Sequence, residues 1–98
     1  MSMKVYLDDI RPCPEGWVLA RSYEEAVELL KTGLVTEISL DHDLGEYYPG
    51  VVARSGYNVA CWIEEAVYAG LISCPGMYCH SGARMIEQAI EAIRKRQM

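Results

Sequence analysis

Several features that mark other classes of protein are missing from this sequence. It has no apolar run long enough to span a bilayer and no CxxC pair of cysteines. Nine Lys and Arg residues against fourteen Asp and Glu residues give a formal net charge of −5, which argues against nucleic-acid binding over the whole surface. Met1-Ser2-Met3-Lys4 leads directly into a predicted strand, so we expect no signal peptide and a cytoplasmic location.

The length and the cysteines bound the fold further. The 98 residues are enough for a single core, and we predict one domain over residues 1–98. Apolar residues make up 51% of the chain, which is typical of a globular protein. The four cysteines are expected to be reduced thiols. Cys74, Cys79 and His80 resemble half of a zinc site, but the sequence has no second half with suitable spacing.

Hydrophobic periodicity predicts alternating strands and helices. Ser22 with Glu25 forms the capping-box pattern before the first helix, and Gly33 and Gly70 end the first two helices. The predicted strands are Met3–Leu7, Trp17–Ala20, Val35–Leu40 and Gly76–Cys79, and the predicted helices are Tyr23–Lys31, Tyr57–Ala69 and Ala83–Arg96. This pattern indicates an α/β fold with a parallel sheet in the order 2-1-3-4, flanked by helices.

Two connecting segments are predicted to be irregular. Ile10–Gly16 is rich in Pro and Gly and is short for a crossover between parallel strands, so the pattern alone leaves the pairing of the first two strands open. Glu46–Ser55 contains two Tyr, a Pro, a Gly and an Arg without a regular period. Loops of this length are frequently functional.

Two strands of the predicted sheet end abruptly in acidic residues. Asp8 and Asp9 follow the first strand, and Asp41, His42 and Asp43 follow the third. In the order 2-1-3-4 the topological switch point lies between these two strands, and ligands bind outside the carboxyl ends there. Like charges placed this close are unfavourable unless a cation, a shared proton or a phosphoryl ligand compensates them. We therefore predict a functional site, although any single Asp would more simply cap a turn.

Several motifs together resemble the cyclic-phosphate-processing receiver domain family, a variant of the response-regulator receiver domain. They are Leu7–Pro12, Ala20–Ala26, Leu40–Gly45, Ser55–Tyr57 and His80–Ser81, and the similarity covers nearly the whole chain. The resemblance implies a flavodoxin-like three-layer sandwich, with a mainly parallel four-stranded sheet truncated at the fifth strand. It also favours a second strand parallel to the first.

The same resemblance assigns roles to the acids. Asp8 and Asp9 fall where a receiver holds Mg²⁺, and Asp41 falls where it accepts a phosphoryl group. Because hard cations prefer carboxylate oxygens, we predict a Mg²⁺ or Mn²⁺ site formed by Asp8, Asp9 and Asp41.

One departure from ordinary receivers concerns lysine. A phosphotransfer receiver needs a Lys at the end of a fifth strand to pair with the acyl phosphate. The lysines of this chain are Lys4, at the wrong end of the first strand, and Lys31 and Lys95, in the last turns of helices. A Pro-rich loop also replaces the helix that follows the first strand. We therefore expect no long-lived acyl phosphate on Asp41.

The histidines offer chemistry suited to phosphodiesters. His42 and His80 follow adjacent strands, and histidine titrates near neutrality. Beside Asp41, one is a candidate base that activates water and the other a candidate acid that protonates a leaving ribose oxygen. The alternative for His80 is a core histidine under the last helix.

Phosphate oxygens have candidate partners as well. Arg11 and Arg84 are fork-shaped donors, Ser81 can donate a further hydrogen bond, and the N-terminus of the last helix offers free N–H groups. Asp43 is a possible further member of the site. Alternatively, the two arginines form ion pairs with the neighbouring aspartates.

The resemblance implies a domain that binds and hydrolyses a cyclic phosphate, such as the 2′,3′-cyclic end of cleaved RNA or a cyclic nucleotide. RNA-repair proteins are then possible partners. Three alternatives stay open. The first is a non-catalytic module that captures such a ligand or docks on a partner. The second is a phospho-accepting receiver, and the third is a degenerate receiver that dimerises.

Overall fold

The computed structural model describes residues 2–41, 46–48, 51–52, 55–80 and 84–96. The elements follow in the order β1 (Met3–Leu7), β2 (Val18–Ala20), α1 (Tyr23–Lys31), β3 (Val35–Leu40), β4 (Glu46–Tyr48), β5 (Val51–Val52), α2 (Gly56–Tyr68), β6 (Gly76–Cys79) and α3 (Arg84–Arg96). The predicted strands and helices are all found, with ends shifted by at most one residue. The predicted first residue of the last helix, Ala83, lies outside the described residues.

The segment Glu46–Ser55 is more regular than the sequence predicted. It contains β4 and β5, which pair antiparallel with Glu46 opposite Val52 and Tyr48 opposite Val51. In sequence, the two strands are separated by Pro49-Gly50, which lies outside the described residues; Pro-Gly is a common turn signal. Strands this short carry too few residues to show a period of two, so the pattern alone did not reveal them.

The main sheet has the order β2-β1-β3-β6, and all of its neighbouring strands are parallel. This confirms the predicted order and α/β class. The pairing that the sequence left open is also parallel, with Val5 opposite Val18 and Leu7 opposite Ala20. The backbone N–H of Asp8 donates to the carbonyl oxygen of Ala20 at 3.0 Å, so the ladder extends to the first acid of the site.

All three helices lie on one face of the main sheet. Their buried apolar residues join Val5, Leu7, Ile38 and Leu40 in one core, and α2 contacts both α1 and α3. The connections from β2 to β3 and from β3 to β6 move in the same direction across the sheet, so right-handed crossovers place α1 and α2 on the same side. Among the described residues, no helix combines the length and apolar character that a membrane span requires.

The opposite face, which carries Tyr6 and Ser39, is called the helix-free face below. The described connection between β1 and β2 is a loop, and Trp17 at its end packs edge-on against Tyr6, with ring centroids 6.1 Å apart. The third layer expected from the resemblance is therefore this loop and not a helix. The physical reason is the Pro-rich sequence, because proline disrupts helix interiors.

Gly56, the first residue of α2, ties the helix to the end of β3. Its N–H donates to the carbonyl oxygen of Asp41 at 3.0 Å, and a Cβ atom at Gly56 would overlap that oxygen. The missing side chain therefore allows α2 to begin directly against the candidate site, and it explains the Gly in the Ser55–Tyr57 motif.

We predict that Gly56→Ala destabilises the fold by about 1–3 kcal/mol, the usual cost of overpacking. Urea unfolding at pH 7 measures the change. Gly76→Ala is the matched control, because a Cβ atom at Gly76 would make only ordinary contacts of 3.5 Å or more. Equal stability of the two variants would contradict the prediction.

Candidate functional site

The carboxyl ends of β1, β3 and β6 bring together Asp8, Asp41 and His80. One ligand atom from each side chain lies within 4.8 Å of the other two. The arrangement follows from the strand order, because β3 lies between β1 and β6 and all three strands are parallel. The site lies at the predicted switch point of the sheet.

Asp8 is almost completely buried and fully hydrogen-bonded. Only 2% of its surface is exposed. Its Oδ1 atom accepts from the backbone N–H groups of Ile10 at 2.9 Å and Arg11 at 2.8 Å, and its Oδ2 atom lies 3.1 Å from Nε2 of His80. Burial raises the pKa of this carboxyl, but the two backbone hydrogen bonds and His80 outweigh it, so the pKa lies below its ordinary value. Oδ1 of Asp8 thus caps the turn after β1, and Oδ2 faces the candidate site.

His80 is held through both of its ring nitrogens. Nε2 faces Asp8, and Nδ1 lies 2.7 Å from Oγ of Ser39. The ring stacks on Tyr6 with centroids 4.1 Å apart and planes inclined by 14°, and 14% of the side chain is exposed. The ring therefore lies against the helix-free face and not under α3.

The loop after β1 is fixed by Arg21, which lies within the Ala20–Ala26 motif and was not a predicted site residue. Nη1 of Arg21 lies 3.1 Å from the carbonyl oxygen of Arg11 and 3.4 Å from that of Asp8. This guanidinium group holds the loop that in turn donates two N–H groups to the Asp8 carboxylate. Arg21 thereby connects the end of β2 to the site.

The remaining predicted site residues fall into two groups. Asp9 is half-buried and is not part of the Asp8, Asp41 and His80 cluster; Arg11 and Arg84 are exposed, and neither forms an ion pair with a described residue. The other predicted members lie outside the described residues: His42, Asp43 and Ser81. Nor does any described cysteine join a metal-binding group, so the zinc half-site has no support in this part of the chain.

Tyr6 and Ser39 were missed, and a signal for both exists. Ser39 is a polar residue between the buried Ile38 and Leu40 of β3, and it is only 6% exposed although no described helix covers its face. Tyr6 lies directly opposite it in the register of β1 and β3. Once the register is known, a buried Ser next to an aromatic ring indicates a polar partner nearby.

A family model described as the cyclic-phosphate processing receiver domain matches residues 3–96. The chain belongs to this family. Searches of curated proteins and of solved structures return no match.

Unlike a phosphotransfer receiver, this cyclic-phosphate processing receiver domain has no lysine at its acidic cluster. All three lysines are described: Nζ of Lys4 lies 5.3 Å from the ring centroid of Trp17, Lys31 pairs with Glu28, and Lys95 pairs with Glu91. Among the described residues, the fold brings His80 to the two aspartates.

We predict that Asp8→Ala destabilises the domain by about 2–3 kcal/mol at pH 7, because two backbone N–H groups and His80 lose a charged acceptor. Asp9→Ala is the matched control and is expected to cost less than about 1 kcal/mol. Chemical unfolding measures both variants.

The effect of Asp8 should depend on pH. Its pKa is lower in the folded protein, so its charge stabilises the fold above the ordinary value near 4, and this contribution disappears as the pH falls through the lowered value. The gap between wild type and Asp8→Ala should therefore narrow from pH 6 to pH 3. A constant gap would show that the ionised carboxylate is not what stabilises the loop.

Proposed function

We propose that this domain binds cyclic phosphates and hydrolyses them at the carboxyl edge of the main sheet. The observation that carries the proposal is the convergence of Asp8, Asp41 and His80 within 4.8 Å, in a chain of the cyclic-phosphate processing family. Carboxylates and an imidazole that gives and takes protons are groups that serve general acid–base catalysis. The 2′,3′-cyclic phosphate of a nucleotide or an RNA end is the proposed substrate, and RNA-repair proteins are the proposed partners.

The donor set fits a divalent cation. Asp8 and Asp41 offer carboxylate oxygens, and His80 takes the place in the cluster that the sequence assigned to Asp9. We propose that the carboxylate oxygens of Asp8 and Asp41 would hold Mg²⁺ or Mn²⁺, because both cations bind carboxylates, while Nε2 of His80 keeps its hydrogen. Such a cation neutralises phosphate charge and lowers the pKa of a bound water.

The protein's own residues account for the proton movements of the proposed reaction. Oxygen of water bonds to phosphorus, one ester P–O bond of the ring breaks, and the leaving ribose oxygen takes up a proton. We assign that proton to Nε2 of protonated His80, because this atom points into the cluster of aspartates. His42 is the proposed base that takes the proton from water. Asp41 orients the reacting groups.

Anion binding is assigned to the exposed cations. Arg11 and Arg84 are exposed and have no ionic partner among the described residues, and we assign both to phosphate oxygens. Ser81 is proposed to donate one further hydrogen bond. Asp43 is proposed as a minor member of the site.

One observation favours a second candidate function, that of a non-catalytic module for cyclic phosphates. Both ring nitrogens of His80 are already engaged, so proton transfer to a ligand requires the ligand to replace Asp8 at Nε2. A domain that only binds the ligand needs no such exchange. Turnover separates the two functions.

We predict that the wild-type domain opens 2′,3′-cyclic AMP and that His80→Ala lowers the rate about 10²- to 10⁴-fold, the usual contribution of general acid or base catalysis. Phosphorus NMR follows the reaction. Tyr78→Phe, on the same strand but bonded to Glu37, is the control and should keep full activity. Binding without turnover in wild type would favour the module. The absence of both binding and turnover would refute both functions.

We predict that millimolar Mg²⁺ or Mn²⁺ raises the melting temperature by several degrees, because binding to the native state alone stabilises it. Asp41→Asn should abolish the shift, whereas Glu37→Gln, on the same strand, should retain it. A wild-type melting temperature that is independent of both metals would exclude the cation site.

A further inference from the structure

We propose that Ser39 is a positioning residue that holds the imidazole of His80 with Nε2 towards Asp8 and Asp41. Oγ of Ser39 lies 2.7 Å from Nδ1 of His80, and Ser39 is 6% exposed. The hydroxyl group of Ser39 bonds to the ring of His80, and its proposed effect on the cluster passes through that ring. For its effect on turnover, the inference rests on the proposed function.

The chemistry of the partners sets the direction of both hydrogen bonds. Oδ1 of Asp8 accepts from two backbone N–H groups, and an ionised carboxylate can only accept. Nε2 of His80 therefore carries a hydrogen, which it donates to Oδ2 of Asp8. In the neutral ring, Nδ1 is then the unprotonated nitrogen, and the hydroxyl group of Ser39 donates to it.

A hydroxyl group suits this position because it can also accept. In a protonated ring both nitrogens carry hydrogen, and Nδ1 donates to Oγ of Ser39 after the hydroxyl rotates. The ring keeps its place in both protonation states. Alanine would lose this partner in either state, whereas threonine would keep it.

Tyr6 cannot select between the two orientations of the His80 ring that differ by a half-turn. Its stacked ring, 4.1 Å away, fixes the plane of the imidazole. A half-turn of the imidazole about the Cβ–Cγ bond keeps that plane but exchanges Nδ1 with Cδ2 and Nε2 with Cε1. Ser39 and Asp8 oppose this turn, because both would face carbon. When a ligand competes for Asp8, the bond to Ser39 is the hydrogen bond that still holds the orientation of the ring.

The test compares Ser39→Ala with Ser39→Thr in the full chain by long-range ¹⁵N NMR of the histidine ring. Wild type and Ser39→Thr should show a hydrogen-bonded Nδ1 and ring protons of His80 shifted upfield by the Tyr6 ring. Ser39→Ala should shift the Nδ1 resonance towards that of a free imidazole. Thr36 lies on β3 like Ser39, and its hydroxyl group donates to the carbonyl oxygen of Met3. Thr36→Val, which removes this hydroxyl group, should change neither signal.

Kinetics provide the second measurement. Ser39→Ala should lower kcat for cyclic-phosphate opening about 10-fold or more with little change in KM, as is usual for groups that orient a functional ligand. Ser39→Thr should restore at least half of the activity. A merely structural role would instead lower stability in both variants without this selective rescue.

The outcomes separate the inference from the proposed function. If wild type does not open the cyclic phosphate, the proposed hydrolysis fails, while the NMR comparison still decides the role of Ser39. Unchanged Nδ1 and ring-proton signals in folded Ser39→Ala overturn the inference, and so does a folded Ser39→Thr that lacks the hydrogen bond. Should Ser39→Ala not fold, Ser39→Cys is compared with wild type; an unaltered Nδ1 signal there overturns it equally.

Discussion

The buried carboxylate of Asp8 is the constraint on which the carboxyl edge of the sheet depends. A charge that is 2% exposed is unfavourable unless hydrogen bonds replace its water. Oδ1 fixes the beginning of the loop after β1, and Oδ2 fixes a histidine from β6. Since β3 lies between β1 and β6, the ring of His80 spans the middle strand to reach Asp8. One side chain thus couples the loop after β1 to the end of β6.

The helix-free face makes this bridge possible. The rings of Tyr6 and His80 stack on one another, and Ser39 lies buried next to His80 on a face that no described helix covers. A helix packed on this face would need an apolar surface beneath it, whereas Ser39 and His80 present polar atoms. The Pro-rich loop after β1 and the polar residues of this face are therefore consistent features of one sequence.

Much of the layout of the fold followed from the sequence because strand ends, helix caps and glycine stops are local signals, whereas the pairing of β1 with β2 and the short strands β4 and β5 did not. Ser22 capping α1 and the acids ending β1 and β3 are of this kind. Ser39 and Tyr6 are different, because their roles arise only from register and from His80, which lies 41 residues further along than Ser39. The cluster contains His80 and not the predicted Asp9 for the same reason, because the sheet brings together residues that are distant in sequence. Asp9 is next to Asp8 in sequence, but neighbours at a strand end point in different directions.

A phosphotransfer receiver has a lysine at its acidic cluster, whereas this chain has His80 there. The two side chains favour different kinds of chemistry. A lysine near an acyl phosphate supplies a lasting positive charge, which suits storage of a phosphoryl group. A histidine supplies a charge that appears and disappears with its proton, which suits bond breaking. The lysines of this chain are engaged with Trp17, Glu28 and Glu91, and within the described part of the chain it is His80 that joins the two aspartates. The proposed transfer of a proton from His80 to a ribose oxygen depends on this difference between the two side chains.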